Sequence, residues 1–248
     1  MRPDDSKEKH RMKGQTEVKH RLLEKYLQPW LFKITSLNSE VLYIDGFAGW
    51  GYYPDGSPGS PLIAMDALSE NYETVEGKID NFYCFFIEAN KDNADQLEAA
   101  VEEKEEECPS EVDAVVENRE FEDFALEFLE EVDRPIPTFI FIDPFGYSGL
   151  PFEVVSDLIN SRESGVELFV TFMSGKMAQF MEGDTHESAI TEILGTDEWK
   201  DRVDLDASKD ERAEQFLQIY EEQLRETADI EYVWPFEMKE ESKSQTAY

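Results

Sequence analysis

The stretch that most constrains this chain runs over residues 41–51 and reads Val-Leu-Tyr-Ile-Asp-Gly-Phe-Ala-Gly-Trp-Gly. Apolar residues lead up to Asp45, and Gly46, Gly49 and Gly51 follow it at once. This pattern predicts a buried β-strand that ends in a tight turn with few side chains. Because glycine lets the backbone approach a bound molecule closely, we expect a ligand against this turn. Glycine turns after strands also serve structure alone, and that interpretation stays open at this point.

Further apolar segments follow at intervals, separated by segments with helical periodicity. The predicted strands after the first are 82–88, 113–116, 137–143, 167–173 and 230–238. The predicted helices include 16–32, 61–70, 90–106, 152–159 and 174–181. Strands that are apolar throughout indicate a parallel sheet covered on both faces. The predicted fold class is therefore α/β, with a doubly wound, Rossmann-like and mostly parallel sheet and an N-terminal helix.

The same patterns divide the chain into three parts. Residues 1–15 form a basic tail, and residues 16–181 together with 228–248 form the Rossmann-like domain. Residues 182–227 are helical and acidic and are predicted to be a helical insertion. Residues 246–248 read as the start of a strand that then stops, so we expect the chain to be truncated there with an exposed sheet edge.

The charge of the chain is unusual, with 57 acids against 23 bases and a net charge of −34. Since 17 Phe, 10 Tyr and 4 Trp are present, the chain is not disordered by composition, and the acids must coat a folded surface. We expect adaptation to a salt-loaded, halophilic cytosol, where ions screen the repulsion. Two distant cysteines and the absence of a long apolar run predict a cytoplasmic protein without a zinc site or a membrane span.

Basic residues concentrate at the N-terminus, where residues 1–33 hold nine Lys or Arg against five acids. Apolar residues four apart predict an amphipathic helix whose cations, with Lys19 and His20 among the polar side chains, point outward. The residues that define this stripe are Val18, Leu22, Tyr26 and Trp30, with Leu23 and Leu27 beside them. One interpretation is an arm that contacts nucleic-acid phosphates; the other is a basic tail and a packing helix. The candidate phosphate contacts are Lys13, Lys19, Arg21 and Lys25.

Acidic side chains stand at the ends of three predicted strands, namely Asp45, Glu88 and Asp143, and Asn118 and Glu120 follow another. In a doubly wound sheet these ends lie along one edge, where ligands bind. An acidic pocket suits hydroxyls and cations, and the sequence holds no phosphate-binding loop of the Gly-x-x-x-x-Gly-Lys-Ser/Thr type. An adenosyl cofactor with a sulfonium charge and no phosphate fits such a pocket better.

Several of these motifs together resemble a known family. Residues 45–51 resemble motif I of class I S-adenosylmethionine-dependent methyltransferases, in the D-x-F-x-G-x-G form, and Glu88 matches their ribose-binding acid. Residues 143–146, Asp-Pro-Phe-Gly, are similar to the D-P-P-[YF] motif of base amino-methyltransferases, from which they depart at positions 145 and 146. The wider array resembles the three-Cys-motif partner (TcmP) family. Its segments here are 19–20, 26–30, 43–49, 56–61 and 142–147.

The resemblance implies an S-adenosylmethionine site and a target site. The implied cofactor residues are Asp45, Gly46, Phe47, Gly49, Gly51, Glu88, Asn118 and Glu120. Among them Glu88 would take the ribose hydroxyls, and Asn118 or Glu120 the adenine. The implied catalytic residues are Asp143, Pro144, Phe145 and Tyr147. Asp143 and the Pro144 carbonyl would accept hydrogen bonds from a target amine, and an aromatic ring would stack on an extruded base.

Two functions remain open from the sequence. The first is methyl transfer from S-adenosylmethionine to an amine of a nucleic-acid base. The second is a non-catalytic, methyltransferase-like scaffold that works with a partner protein bearing three cysteines. Purely structural roles also remain open for two of the acids. Glu88 could cap the next helix, and Asp143 could accept hydrogen bonds from backbone amides in a strand-end turn.

Overall fold

The structure is a computed structural model that describes residues 14–75, 79–131, 136–144, 150–160, 165–181, 186–227, 230, 232–236 and 238. The described strands are β1 (Glu40–Asp45), β2 (Asn81–Ile87), β3 (Val112–Glu117), β4 (Thr138–Ile142) and β5 (Val166–Val170). The first described helices are α1 (Gly14–Thr35), α2 (Ser60–Val75), α3 (Lys91–Glu105), α4 (Phe121–Glu131) and α5 (Phe152–Asn160). They are followed by α6 (Ser174–Phe180), α7 (Glu187–Leu194), α8 (Trp199–Arg202) and α9 (Lys209–Thr227).

The five strands form one sheet in the order β3-β2-β1-β4-β5, and every pairing is parallel. The chain builds outward from β1 to β3 and then returns to the other side of β1 with β4. The order therefore reverses between β1 and β4, where a doubly wound sheet leaves a crevice at the carboxyl ends of its strands. The prediction of an α/β, Rossmann-like fold around a parallel sheet is confirmed.

Both faces of the sheet are buried, which explains why the strands are apolar throughout. Alternate residues of β1 point to opposite faces, so Tyr43 belongs to one core and Ile44 to the other. The Tyr43 face is covered by α1, α2 and α3, and the Ile44 face by α4 to α9. The β4 residues Phe139 and Ile140 divide between the two cores in the same way.

Helix α1 buries only part of the predicted stripe, namely Leu23, Leu27 and Trp30. Its buried residues are Lys19, His20, Leu23, Leu27, Trp30, Leu31 and Thr35. Val18 and Tyr26 of the predicted stripe are instead 45% and 47% exposed. The helix is turned because Leu23, Leu27 and Leu31, four apart, pack on the sheet. The prediction that Lys19 and His20 are exposed is therefore wrong, since they continue this inner face toward the amino end of the helix.

The helices after β5 share the core of the sheet. Ile190 of α7, Trp199 of α8 and Phe216 of α9 are buried in the same cluster as Ile140 of β4. Within the described residues these helices therefore pack on the main domain, while the boundaries 182–227 of an insertion stay a prediction.

The segment predicted as a sixth strand is not one in its described part. Residues 232–236 are irregular, and the side chains of Tyr232, Trp234 and Phe236 are exposed. Pro235 lacks the N–H that a ladder needs, which the alternation of aromatic residues concealed. The predicted strand start at 246–248 lies outside the described residues. Within the described part of the chain, no helix combines the length and apolar character that crossing a membrane requires.

Candidate functional site at the carboxyl edge of the sheet

Three acids meet at the carboxyl edge as predicted. Asp45 is the last residue of β1, Glu88 directly follows β2, and Asp143 directly follows β4. Because these strands are neighbours and parallel, their ends bring the three side chains to the crevice where the strand order reverses. The charges of Asp143 and Glu88 act on Asp45, since both raise its pKa.

The glycine turn after β1 needs its glycines for different reasons. Gly49 and Gly51 have φ values of +70° and +90°, a region that favours glycine. A Cβ at Gly51 would lie 2.7 Å from the Cβ of Ala100, so this residue lets α3 approach the turn. A Cβ at Gly49 would meet no heavy atom of the described residues within 4 Å. Gly51 is thus fixed by packing, while Gly49 borders open space.

Glu88 points at this turn and connects it to the next one. Its Oε2 accepts a hydrogen bond of 2.9 Å from the backbone N–H of Gly49. Its Oε1 accepts from the N–H of Asn90 at 2.8 Å and from the Asn93 side chain at 3.4 Å. The capping interpretation therefore holds for one oxygen, although Asn90 itself caps α3 through a bond from the N–H of Asn93. The other oxygen lies beside the open space at Gly49.

Asn118 supports the β2–α3 turn from the neighbouring strand. Its amide nitrogen donates to the carbonyl oxygens of Glu88 and Ala89, each at 2.9 Å. This leaves its side-chain oxygen for another group. Glu120 is exposed, and its carbonyl accepts the N–H of Phe124 in the first turn of α4. The adenine contacts expected of Asn118 and Glu120 stay predictions.

Asp45 is fully buried, and its carboxyl group is only partly satisfied. Its Oδ1 accepts from the N–H of Phe47 at 3.2 Å, whereas Oδ2 has no hydrogen-bond partner among the described residues. Burial raises the pKa of Asp45 from 3.8 to about 7, against the lowering influence of the Ser60 hydroxyl and the Phe47 amide. A buried acid with a pKa near neutrality can bind or release a proton at this edge.

Asp143 is held by a cation from α1. The ammonium of Lys19 donates to both carboxylate oxygens, at 2.5 Å and 2.7 Å. The two residues lie 124 positions apart in the sequence, so only the packing of α1 over the sheet brings them together. Lys19 was predicted to contact nucleic acid, but its ammonium is buried in this ion pair because the inner face of α1 extends to the strand ends.

The side chains of His20 and Tyr53 lie beside the Lys19–Asp143 pair. Their rings lie 5.8 Å apart, and the Nδ1 atom of His20 is buried without a hydrogen-bond partner among the described residues. Burial lowers the pKa of His20 to about 4, opposed by Asp143 and assisted by Lys19, so the imidazole is neutral at pH 7. Burial, with the charge of Asp143 and other acids, raises the pKa of Tyr53 to about 12, which keeps its hydroxyl protonated.

The loop over residues 52–59 forms a compact wall next to the glycine turn. The N–H of Tyr53 donates to the carbonyl of Ser57 at 2.9 Å, and the N–H of Gly56 donates back to Tyr53 at 2.8 Å. The N–H of Gly59 reaches the carbonyl of Gly51 at 2.6 Å, which ties the end of the loop to the turn. These bonds position Tyr53 against His20.

The remaining predicted site residues separate into three groups. Phe145, Tyr147 and Lys13 lie outside the described residues. Arg21 and Lys25 are exposed on α1, as predicted, and Pro144 is buried after β4. Sequence reasoning missed the pairing of Lys19 with Asp143 and the neutral His20. The sequence does signal the burial of Lys19, because Lys19 lies four residues before Leu23 and thus on the same helical face as Leu27 and Leu31.

Among the described residues, a cavity of about 220 Å³ lies between α1, α2 and the 52–59 loop, with His20 in its lining. A smaller, mostly apolar cavity lies at the ends of β4 and β5, with Pro144 in its lining. Among the described residues, no group of three His, Cys, Asp or Glu side chains is arranged to hold a metal ion.

No protein-family model matches this sequence, and neither does any curated protein. The fold and the site together define a Rossmann-like α/β protein with three acids and a glycine turn at the carboxyl edge of its sheet.

Proposed function

We propose that this chain is an S-adenosylmethionine-dependent methyltransferase that acts on an amine of a nucleic-acid base. The observation that carries the proposal is the 2.9 Å contact between the Glu88 carboxylate and the N–H of Gly49. It brings an acid from β2 to the glycine turn of β1, next to the reversal of strand order. The open space beside Gly49 supports the proposal, because an adenosyl group needs close approach to the backbone there.

The residues present fit the ribose of such a cofactor. The Oε2 atom of Glu88 accepts one hydrogen bond from the described residues, and a carboxylate oxygen has two lone pairs. One remains for a ribose hydroxyl. Asp45 supports the turn from beneath through the N–H of Phe47.

On the target side, Asp143 and the carbonyl of Pro144 are the acceptors. S-adenosylmethionine, when bound, would supply a methyl group from its sulfonium to the amine nitrogen, S-adenosylhomocysteine would be the leaving group, and the proton lost by the amine would pass to solvent. Asp143 and Pro144 fix the N–H groups of the amine and so orient its lone pair, and most of the rate comes from this positioning.

Calorimetry tests the cofactor assignment. Wild-type protein in molar salt should bind both S-adenosylmethionine and S-adenosylhomocysteine. The substitution Gly49→Ala should weaken both by about tenfold or more, because a side chain enters the space that the ligand needs. If the wild-type protein gives no binding heat with either ligand, the cofactor assignment is overturned.

A matched control separates lost space from backbone strain. Gly165 also has a positive φ, +52°, and a Cβ there likewise meets no heavy atom of the described residues within 4 Å. It precedes β5 at the opposite edge of the sheet. Gly165→Ala should therefore cost similar stability and leave ligand affinity unchanged.

The Lys19–Asp143 pair favours a second candidate function, the non-catalytic scaffold that works with a three-Cys-motif protein. Both oxygens of Asp143, the carboxylate expected to accept from the target amine, already accept hydrogen bonds from Lys19. Asp143→Ala distinguishes the two candidates. Under the first, methyl transfer is lost and cofactor affinity is kept; under the second, the assembly with the partner survives the substitution.

A further inference from the structure

Asp143 differs from the other two acids of the crevice in how it is satisfied. Glu88 accepts from backbone N–H groups of Gly49 and Asn90, and Asp45 accepts from that of Phe47. Among the described residues, both oxygens of Asp143 bind one group only, the ammonium of Lys19. That group is itself an amine, seated on the carboxylate where the proposed methyl transfer places the amine of the target.

We propose that Lys19 is an internal competitor for the target amine. This inference rests on the proposed methyl transfer. Lys19 binds Asp143 until a target amine replaces it, and Lys19 thereby determines which groups reach the site. Lys19 acts on selection of the target and takes no part in the transfer.

The geometry allows this exchange without moving the helix. The side chains of Lys19 and Asp143 are 10% and 15% exposed, so the pair borders solvent. Helix α1 is anchored further along by Leu23, Leu27 and Leu31. Lys19 has a flexible four-carbon stem, and its ammonium can leave while the backbone stays in place.

The same pair resists opening by water alone. A largely buried carboxylate that loses the cation paired with it is strongly destabilised unless another donor replaces the lost bonds. Beside the intact pair, His20 is uncharged at pH 7 and adds no second cation. A primary amine brings two N–H donors, one for Asp143 and one for the carbonyl of Pro144, whereas a hydroxyl brings one. Competition with Lys19 therefore favours amines over hydroxyls.

Acylation of the native protein tests the exchange without any substitution. An amine-reactive reagent, with peptide mass spectrometry, measures the rate at Lys19 against the exposed Lys25 of the same helix. S-adenosylhomocysteine is present in excess, so that added nucleosides cannot use the cofactor site. Adenosine and cytidine, which carry exocyclic amines, should raise the rate at Lys19 and leave Lys25 unchanged. Uridine, which has no such amine, should have no effect. An unchanged rate at Lys19, or an equal rise with uridine, overturns the inference.

Variants test the competition directly. Under the same conditions, Lys19→Met should bind adenosine or cytidine roughly 10- to 100-fold more tightly than the wild type, because no ammonium has to be displaced. Lys19→Arg keeps a cation on Asp143 and should behave like the wild type, as should Lys33→Met, which removes an exposed cation from the same helix. Affinity that does not rise in Lys19→Met counts against the competitor role.

Failure of this inference is distinguishable from failure of the proposed function. If S-adenosylmethionine binds but neither the acylation rate at Lys19 nor the nucleoside affinity responds, only the competitor role is lost. If the wild-type protein binds neither S-adenosylmethionine nor S-adenosylhomocysteine, both proposals are overturned.

Discussion

At the scale of single residues, Asp45 shows the energetic cost of burying a carboxylate at the carboxyl edge of the sheet. Its carboxyl group is 0% exposed, and one of its oxygens has no hydrogen-bond partner in the described part of the chain. The aliphatic and aromatic residues of β1 carry it into the interior, and the glycine turn that follows covers it. A charged form in this position is unfavourable, since the Phe47 amide and the Ser60 hydroxyl replace the lost water only in part.

Asp45 should therefore make stability depend on pH. Its pKa is about 7 in the folded chain against 3.8 as the ordinary value, so the folded state binds the proton more tightly than the unfolded state. Stability should fall as pH rises from about 4 to 7, and the full cost should be present above pH 7. Asp45→Asn should raise the free energy of unfolding at pH 8 by up to about 4 kcal/mol, with little gain at pH 4.

Denaturant unfolding at both pH values measures this difference. Glu24→Gln is the matched control, because Glu24 is exposed on α1 and its substitution removes one negative charge from the surface. An equal gain from Glu24→Gln would assign the effect to net charge instead of to burial.

At the scale of secondary-structure elements, the orientation of α1 decides what the crevice contains. The apolar residues allowed two stripes that differ by about one position, one through Val18 and Tyr26 and one through Leu23 and Leu27. The second is buried, and it carries Lys19 and His20 to the strand ends. Trp30 reinforces this orientation through an edge contact with Phe139, their ring centres lying 5.4 Å apart.

The two stripes predict opposite results for two truncations. Leu27 is 1% exposed, and Leu27→Ala should lower the free energy of unfolding by about 2 to 5 kcal/mol through lost burial and a cavity. Val18 is 45% exposed, and Val18→Ala should change it by no more than about 0.5 kcal/mol. Denaturation in molar salt compares the two variants, and a larger loss from Val18→Ala would show that α1 faces the other way.

At the scale of the whole molecule, the net charge of −34 dominates. The described ion pairs engage few of the 57 acids, and most pairs, such as Lys91 with Asp95, are exposed and therefore weak. Repulsion among the remaining acids favours expanded states. Salt weakens it, because the screening length falls from about 10 Å at 0.1 M to about 3 Å at 1 M.

The free energy of unfolding should therefore rise with potassium chloride from 0.1 to 2 M. Thermal or urea unfolding in a salt series measures the slope. The slope should be smaller at pH 4, where much of the Asp and Glu charge is lost. Sucrose at matched osmolality is the control for effects of solvent exclusion. Full stability at low ionic strength, or an equal slope at pH 4, would contradict an electrostatic origin.

How far the sequence determined the protein differs between the sheet and the site. Alternate residues of β1 enter two cores, and a short uninterrupted apolar run that ends at a glycine turn indicates such a strand, so this was predictable from the sequence. The glycine turn and the acids at the strand ends could also be predicted from the sequence, because they depend on local chain geometry. The exception was residues 232–236, where aromatic alternation suggested a strand that Pro235 interrupts.

What only the tertiary structure decided is which of these residues contact each other. The sequence places Lys19 on a helix and Asp143 after a strand 124 residues later, and nothing local links them. Their contact depends on how α1 is turned over the sheet, which is the sum of packing by Leu23, Leu27 and Trp30. Local patterns determine elements because backbone geometry is local; the partner of a buried charge depends on how distant elements pack.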